Sequence, residues 1–155
     1  MNLIEEALQL NDPNKTILQI GKVIWKKTET SDDDFSNLTQ PEKVFIFIDM
    51  LEAQVNNGGF DQFFFNSTGT YAHECLDAYN QIGAFKTTAI IYEAIKNFPT
   101  LPVPKDTTTR RLLMQNLDDS TGEAWNTLDE QFYKYEEDIA GLVIDYIKKH
   151  KSQVG

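Results

Sequence analysis

Two sets of side chains have the types that chemistry uses. The first is Glu52, Asn56, Gln62 and Asn66, set around the run Asn56-Asn57-Gly58-Gly59. One carboxylate among three amides suits a small polar ligand in a pocket. Hydrolysis needs a general acid and a general base, and nothing in this stretch supplies the pair. The same glycines and asparagines also serve to stop a helix and bond turn backbone.

The second set is carboxylates. Glu29 to Glu42 holds Glu29, Asp32, Asp33, Asp34 and Glu42 with no cation, a net of −5. Asp118 to Asp138 holds eight carboxylates against Lys134, a net of −7. The whole chain sums to −10, so everything outside these two stretches sums to +2. A surface of this sign repels nucleic acid and anionic membrane and attracts basic surfaces. On one helix Asp129 and Glu136, and likewise Glu130 and Glu137, recur every seven residues, so each pair falls on nearly one face. Such a row resembles the charges along a nucleic-acid backbone. The residues expected to meet a partner are Asp32, Asp33, Asp34, Asp118, Asp119, Asp129, Glu130, Glu136, Glu137 and Asp138. A solvated surface that keeps the protein soluble would have the same composition.

Other chemistries find no support. The chain has no Gly-rich phosphate loop, no nucleophile elbow and no pair of histidines at metal spacing. His73, Glu74 and Cys75 are adjacent and point apart on a helix, so no metal and no cofactor is expected. The lone Cys75 falls on an apolar helix face and reads as a core residue in a reducing cytoplasm. The opening MNLIEEALQL lacks the basic region of a signal peptide, and every apolar run is too short to span a bilayer. A cytoplasmic location is expected.

The elements that must position these residues read as helices. Asn2 and Glu5 form a capping box, Asp12-Pro13 opens a second helix, and Thr39 with Glu42 caps a third. Val44, Phe47, Ile48, Leu51 and Val55 repeat at helical spacing, with Phe45 and Ile46 widening the apolar surface. This should be the enclosed central helix, halted at Gly58-Gly59. Phe60 to Phe65 then forms one or two helical turns whose phenylalanines neighbouring helices must cover. Further helices follow over Ala72 to Ile82, around Ile91 to Phe98, and from an Asp106 cap. Ser120 with Glu123 and Thr127 with Glu130 read as two more capping boxes. The apolar stripe from Leu128 to Ile147 predicts one long final helix over Leu128 to His150. The expectation is an all-α protein, a single compact domain over 1–155 with about seven to nine helices and a long C-terminal helix.

The run Val55-Asn56-Asn57-Gly58-Gly59-Phe60-Asp61-Gln62-Phe63-Phe64-Phe65-Asn66-Ser67-Thr68-Gly69 resembles a bacterial family of domains of unknown function that includes a DNA-mimic protein. The similarity continues at Ala78, Ile82-Gly83-Ala84, Leu128 to Tyr133 and Asp145 to Ile147. The resemblance implies an all-helical fold, a homodimer, and a basic protein partner such as a transcription factor, bound in place of DNA. The matching motif is the aromatic knot and not the acidic surface, and a shared knot supports a shared fold.

The functional expectation is a non-enzymatic acidic protein that binds a basic DNA-binding protein, with no direct nucleic acid and no membrane. One alternative is a small-molecule-binding or enzymatic domain with a pocket at Glu52, Asn56, Gln62 and Asn66. Another is an accessory or immunity-type protein that neutralises a toxin or regulator.

Overall fold

Most helices in this chain begin where a short side chain accepts the first orphan N–H groups, those opening at Ala72 and Phe85 being the exceptions. The computed structural model describes residues 2–30 and 35–155. Asn2 accepts from the Glu5 N–H and the Glu5 carboxylate accepts in return, starting α1 (Leu3–Leu8). Asp12 and Pro13 open α2 (Pro13–Thr28). Thr39 and Glu42 close the expected box at the head of α3 (Gln40–Phe65). Five more follow: α4 (Ala72–Gln81), α5 (Phe85–Lys96), α6 (Thr107–Met114), α7 (Asp119–Tyr133) and α8 (Ile139–Lys149). Short 3-10 segments lie at Ser67–Tyr71 and Lys151–Gln153. The described residues contain eight α-helices and no strand, which is the all-α class expected.

Contacts group into two units. One comprises Met1–Asp49 and Asp138–Gly155, the other Met50–Glu137, with the division falling inside α3. In the first unit α1 packs on α2 and α2 on α8. Ile20 and Ile24 of α2 and Val143 and Ile147 of α8 are buried there, as are all of Val44 to Ile48 on α3. In the second unit α5 packs on both α4 and α7. Its core is aromatic: Phe64 stacks on Trp125 with ring centroids 4.9 Å apart, and Phe98 and Phe63 lie 5.3 Å from Phe64. The Trp125 indole N–H donates to Ala94 O (2.9 Å), so the largest core side chain leaves no polar atom unpaired.

Two expectations about helix ends are corrected. The stripe from Leu128 to Ile147 is real, but it spans two helices. Tyr135 takes a left-handed φ of 44°, which ends helical geometry, and Asp138 caps a new start by accepting from the Gly141 N–H (3.0 Å). The longest helix is α3 rather than the last one. The cap of α7 is Asp118, which accepts from the Thr121 N–H, so the boxes at Ser120 and Thr127 lie inside the helix and cap nothing.

Candidate functional site

The glycine break sets the geometry of the second unit. Gly58 and Gly59 leave helical conformation, Gly59 with φ of 75°, and the chain restarts as helix at Phe60. That restart has no acceptor of its own. The Phe60 N–H donates instead to Asp129 Oδ1 on α7 (2.8 Å), 69 positions away. A Cβ on Gly59 would collide with the Asp129 carboxylate, so the second glycine is fixed by its φ and by this contact. Burial raises the Asp129 pKa above the ordinary aspartate value; the Phe60 N–H opposes this, and Asp61 and Glu130 add to it.

The other end of α3 is closed by arginines. Arg110 is fully buried, and its guanidinium donates to Phe64 O (2.8 Å) and Asn66 O (2.7 Å). It also donates to Pro104 O (3.0 Å) and Lys105 O (3.1 Å), binding the proline-rich connector to the aromatic knot. A Cβ on Gly69 would lie 2.6 Å from Arg110 Nε, which explains the glycine that ends the motif. Arg111 donates to Phe65 O (2.8 Å) and covers the half-exposed Phe65 ring at 4.6 Å.

The four residues expected to form one polar pocket divide between two hydrogen-bonded groups. Gln54 Oε1 accepts from both Gln62 Nε2 and Asn66 Nδ2, each at 2.9 Å. Asn57 Nδ2 donates to Gln62 Oε1 (3.1 Å), so these amides tie the two halves of α3 across the break. Asn56 turns elsewhere and donates to the Tyr135 hydroxyl (2.7 Å). Glu52 also acts on that hydroxyl. Burial pushes the Tyr135 pKa up to about 12, Asn56 opposes the rise, and the Glu52 charge adds to it.

Four of the acidic residues expected on a partner surface are occupied by helix starts. Asp118 caps α7 and Asp138 caps α8. Asp129 serves Phe60. Glu137 accepts from the Thr87 N–H (2.7 Å) and hydroxyl (2.9 Å) in the first turn of α5, whose own N-cap, Ala84, has no side-chain acceptor. Asp119, Glu130 and Glu136 are exposed. The pairs Asp129 with Glu136 and Glu130 with Glu137 do not share a helix, because α7 ends at Tyr133. A different row exists: Asp119, Glu123 and Glu130 are all exposed on α7 at i, i+4 and i+11, within about 40° of one another. Among the described residues none of the three forms an ion pair. Asp32, Asp33 and Asp34 lie outside the described residues.

Sequence reasoning missed Gln54, Arg110 and Tyr135, since each acts on partners revealed only by folding. Glu123 lay in the acidic stretch but was passed over for residues at heptad spacing. His73 Nε2 accepts from the Val103 N–H (3.1 Å), and Cys75 is buried with its thiol pKa pushed up by that burial. Among the described residues no group of His, Cys, Asp or Glu is placed to hold a metal ion, and no helix is long and apolar enough to cross a membrane.

Comparison with known proteins gives one family. The family model described as DMP19-like protein matches residues 36–150, which takes in α3 to α8 with the glycine break and the arginine closure. No curated protein and no solved structure matches the chain.

Proposed function

The chain belongs to the DMP19-like family, and on that premise we propose that it is a non-enzymatic protein that occupies the DNA-binding surface of a basic protein. The observation that supports this most is the row Asp119, Glu123 and Glu130, three exposed carboxylates on one helix that form no ion pair among the described residues. With a rise of about 1.5 Å per residue they are about 6 Å and about 10 Å apart along the axis. Duplex DNA carries a charge about every 1.7 Å, so one row replaces a few phosphate contacts rather than a whole site. A homodimer, as the resemblance implies, would present two rows. The buried thiol of Cys75 suits work in a reducing cytoplasm.

The test is capture from a nuclease-treated bacterial lysate on immobilised protein. The expected captive is a basic DNA-binding protein, released by competing duplex DNA and by rising salt. Three contacts give a slope of log K on log salt no steeper than about −3 per row. Capture that ignores DNA, or that survives combined Asp119→Lys, Glu123→Lys and Glu130→Lys substitution, overturns the reading.

A further inference from the structure

The first unit contains a groove that the reading above does not use. It runs between α1 and α2, has a volume of about 710 Å³, and is built from residues between Leu3 and Thr30. The match to the family model begins at residue 36, so the groove lies outside it. Leu3, Ala7, Leu10 and Val23 form its apolar wall, and Leu3 remains 66% exposed and Leu10 43% exposed. Three lysines and one glutamate are the charged residues along it, in a chain whose net charge is −10. Lys27 is committed to Glu42, 2.7 Å away. Lys22 and Lys26 lie one turn apart on the exposed side of α2 and have no ion pair among the described residues.

Small-molecule sites have volumes of about 300–1,000 Å³, mostly apolar walls and a few polar groups that fix orientation. This groove has that volume and that division of labour. Among the described residues, the lysines of the groove without an ion pair are Lys22 and Lys26, one turn apart on α2, and the groove lies between two packed helices. We propose that the α1–α2 groove binds a monomeric alkyl carboxylate, with the hydrocarbon chain along Leu3, Ala7, Leu10 and Val23 and the carboxylate between Lys22 and Lys26. Charge complementarity selects the anion over a cationic amphiphile, because two lysines without an ion pair among the described residues outnumber the single carboxylate along the groove, Glu6.

The experiment is a titration of the full-length protein with octanoate, decanoate and dodecanoate below their micellar concentrations, read by amide chemical shifts. The expected result is a saturable shift confined to α1 and α2, tightening roughly tenfold for every two methylenes as apolar burial requires. Decyltrimethylammonium should bind at least about tenfold more weakly than decanoate, since the lysines repel it. Combined Lys22→Glu and Lys26→Glu substitution should weaken decanoate by at least about tenfold at unchanged helicity. Gln19→Trp, which fills the groove from its exposed wall, should weaken all three acids together. The proposal is overturned by the absence of a saturable shift, by shifts centred elsewhere, or by equal binding of the ammonium amphiphile. Binding to anionic vesicles without binding of the monomer would also overturn it. The acidic row of α7 plays no part in any of these outcomes.

Discussion

The Phe60 amide has no local acceptor, because Gly58 and Gly59 break the helix immediately before it. Asp129→Ala should therefore cost about 1–3 kcal/mol, the penalty for a buried N–H left unpaired, measured by urea unfolding. Asp129→Asn should cost less, since an amide oxygen still accepts and the buried charge is gone. A second residue-scale prediction concerns Tyr135, whose hydroxyl titrates near 12 when folded against about 10 when unfolded. A neutral phenol is favoured in the fold, so this contribution is complete below about pH 10 and is lost as pH rises toward 12. Tyrosinate absorbance should show a late-titrating component that Tyr135→Phe diminishes, alongside that of Tyr133, whose pKa burial and the Asp129 charge also raise. Legibility at this scale followed sequence distance. The i, i+4 relation of Glu52 and Asn56 could be read directly, whereas the tyrosine they share lies 79 positions from Asn56.

Helix starts were legible wherever cap and helix are neighbours. Asn2, Asp12, Thr39 and Asp106 all lie within three residues of the N–H groups involved. The long final helix was misread because apolar periodicity continues through a residue that has left helical geometry. At the head of α3 the capping box does more than start a helix. Burial alone would raise the Glu42 pKa, but the Lys27 ammonium and the N–H groups of Thr39 and Gly155 outweigh it and the pKa is lowered. A depressed folded pKa stabilises the fold above the ordinary value near 4.5, and that stability is lost as pH falls through the folded value. Glu42→Gln should lower the melting temperature at pH 7, and the difference between the two proteins should shrink as pH falls through the depressed pKa of Glu42. At the far end of α3, Arg110→Lys cannot replace a fork of five donors with three, and a loss of at least about 2 kcal/mol is expected in urea unfolding.

Across the molecule the charge is unevenly shared. Met50–Glu137 holds thirteen carboxylates against six cations, a net of −7, leaving −3 for the first unit. Composition alone announced this excess but could not say which carboxylates were at liberty to meet a partner. Reversal of Asp119, Glu123 and Glu130 should abolish capture of a basic partner while lowering the unfolding midpoint less than loss of a cap does, because none of the three caps a helix and only Asp119 gives up a favourable charge in the first turn of α7. Reversal of Asp118, Glu137 or Asp138 should in each case cost about 1 kcal/mol or more of stability and lower the midpoint accordingly, since each holds the first turn of a helix. The two groups thus separate fold from recognition in a single set of variants, read by thermal melting and by capture.

The borrowed caps at Phe60 and Thr87 reach beyond stability. A descendant of this protein that had lost its partner would still be obliged to keep half of the eight acids between positions 118 and 138, simply to begin its helices. Ancestry inferred from those positions would sort proteins by how their backbones are started. On the proposed function, the record of whom they meet would lie along the outer edge of α7.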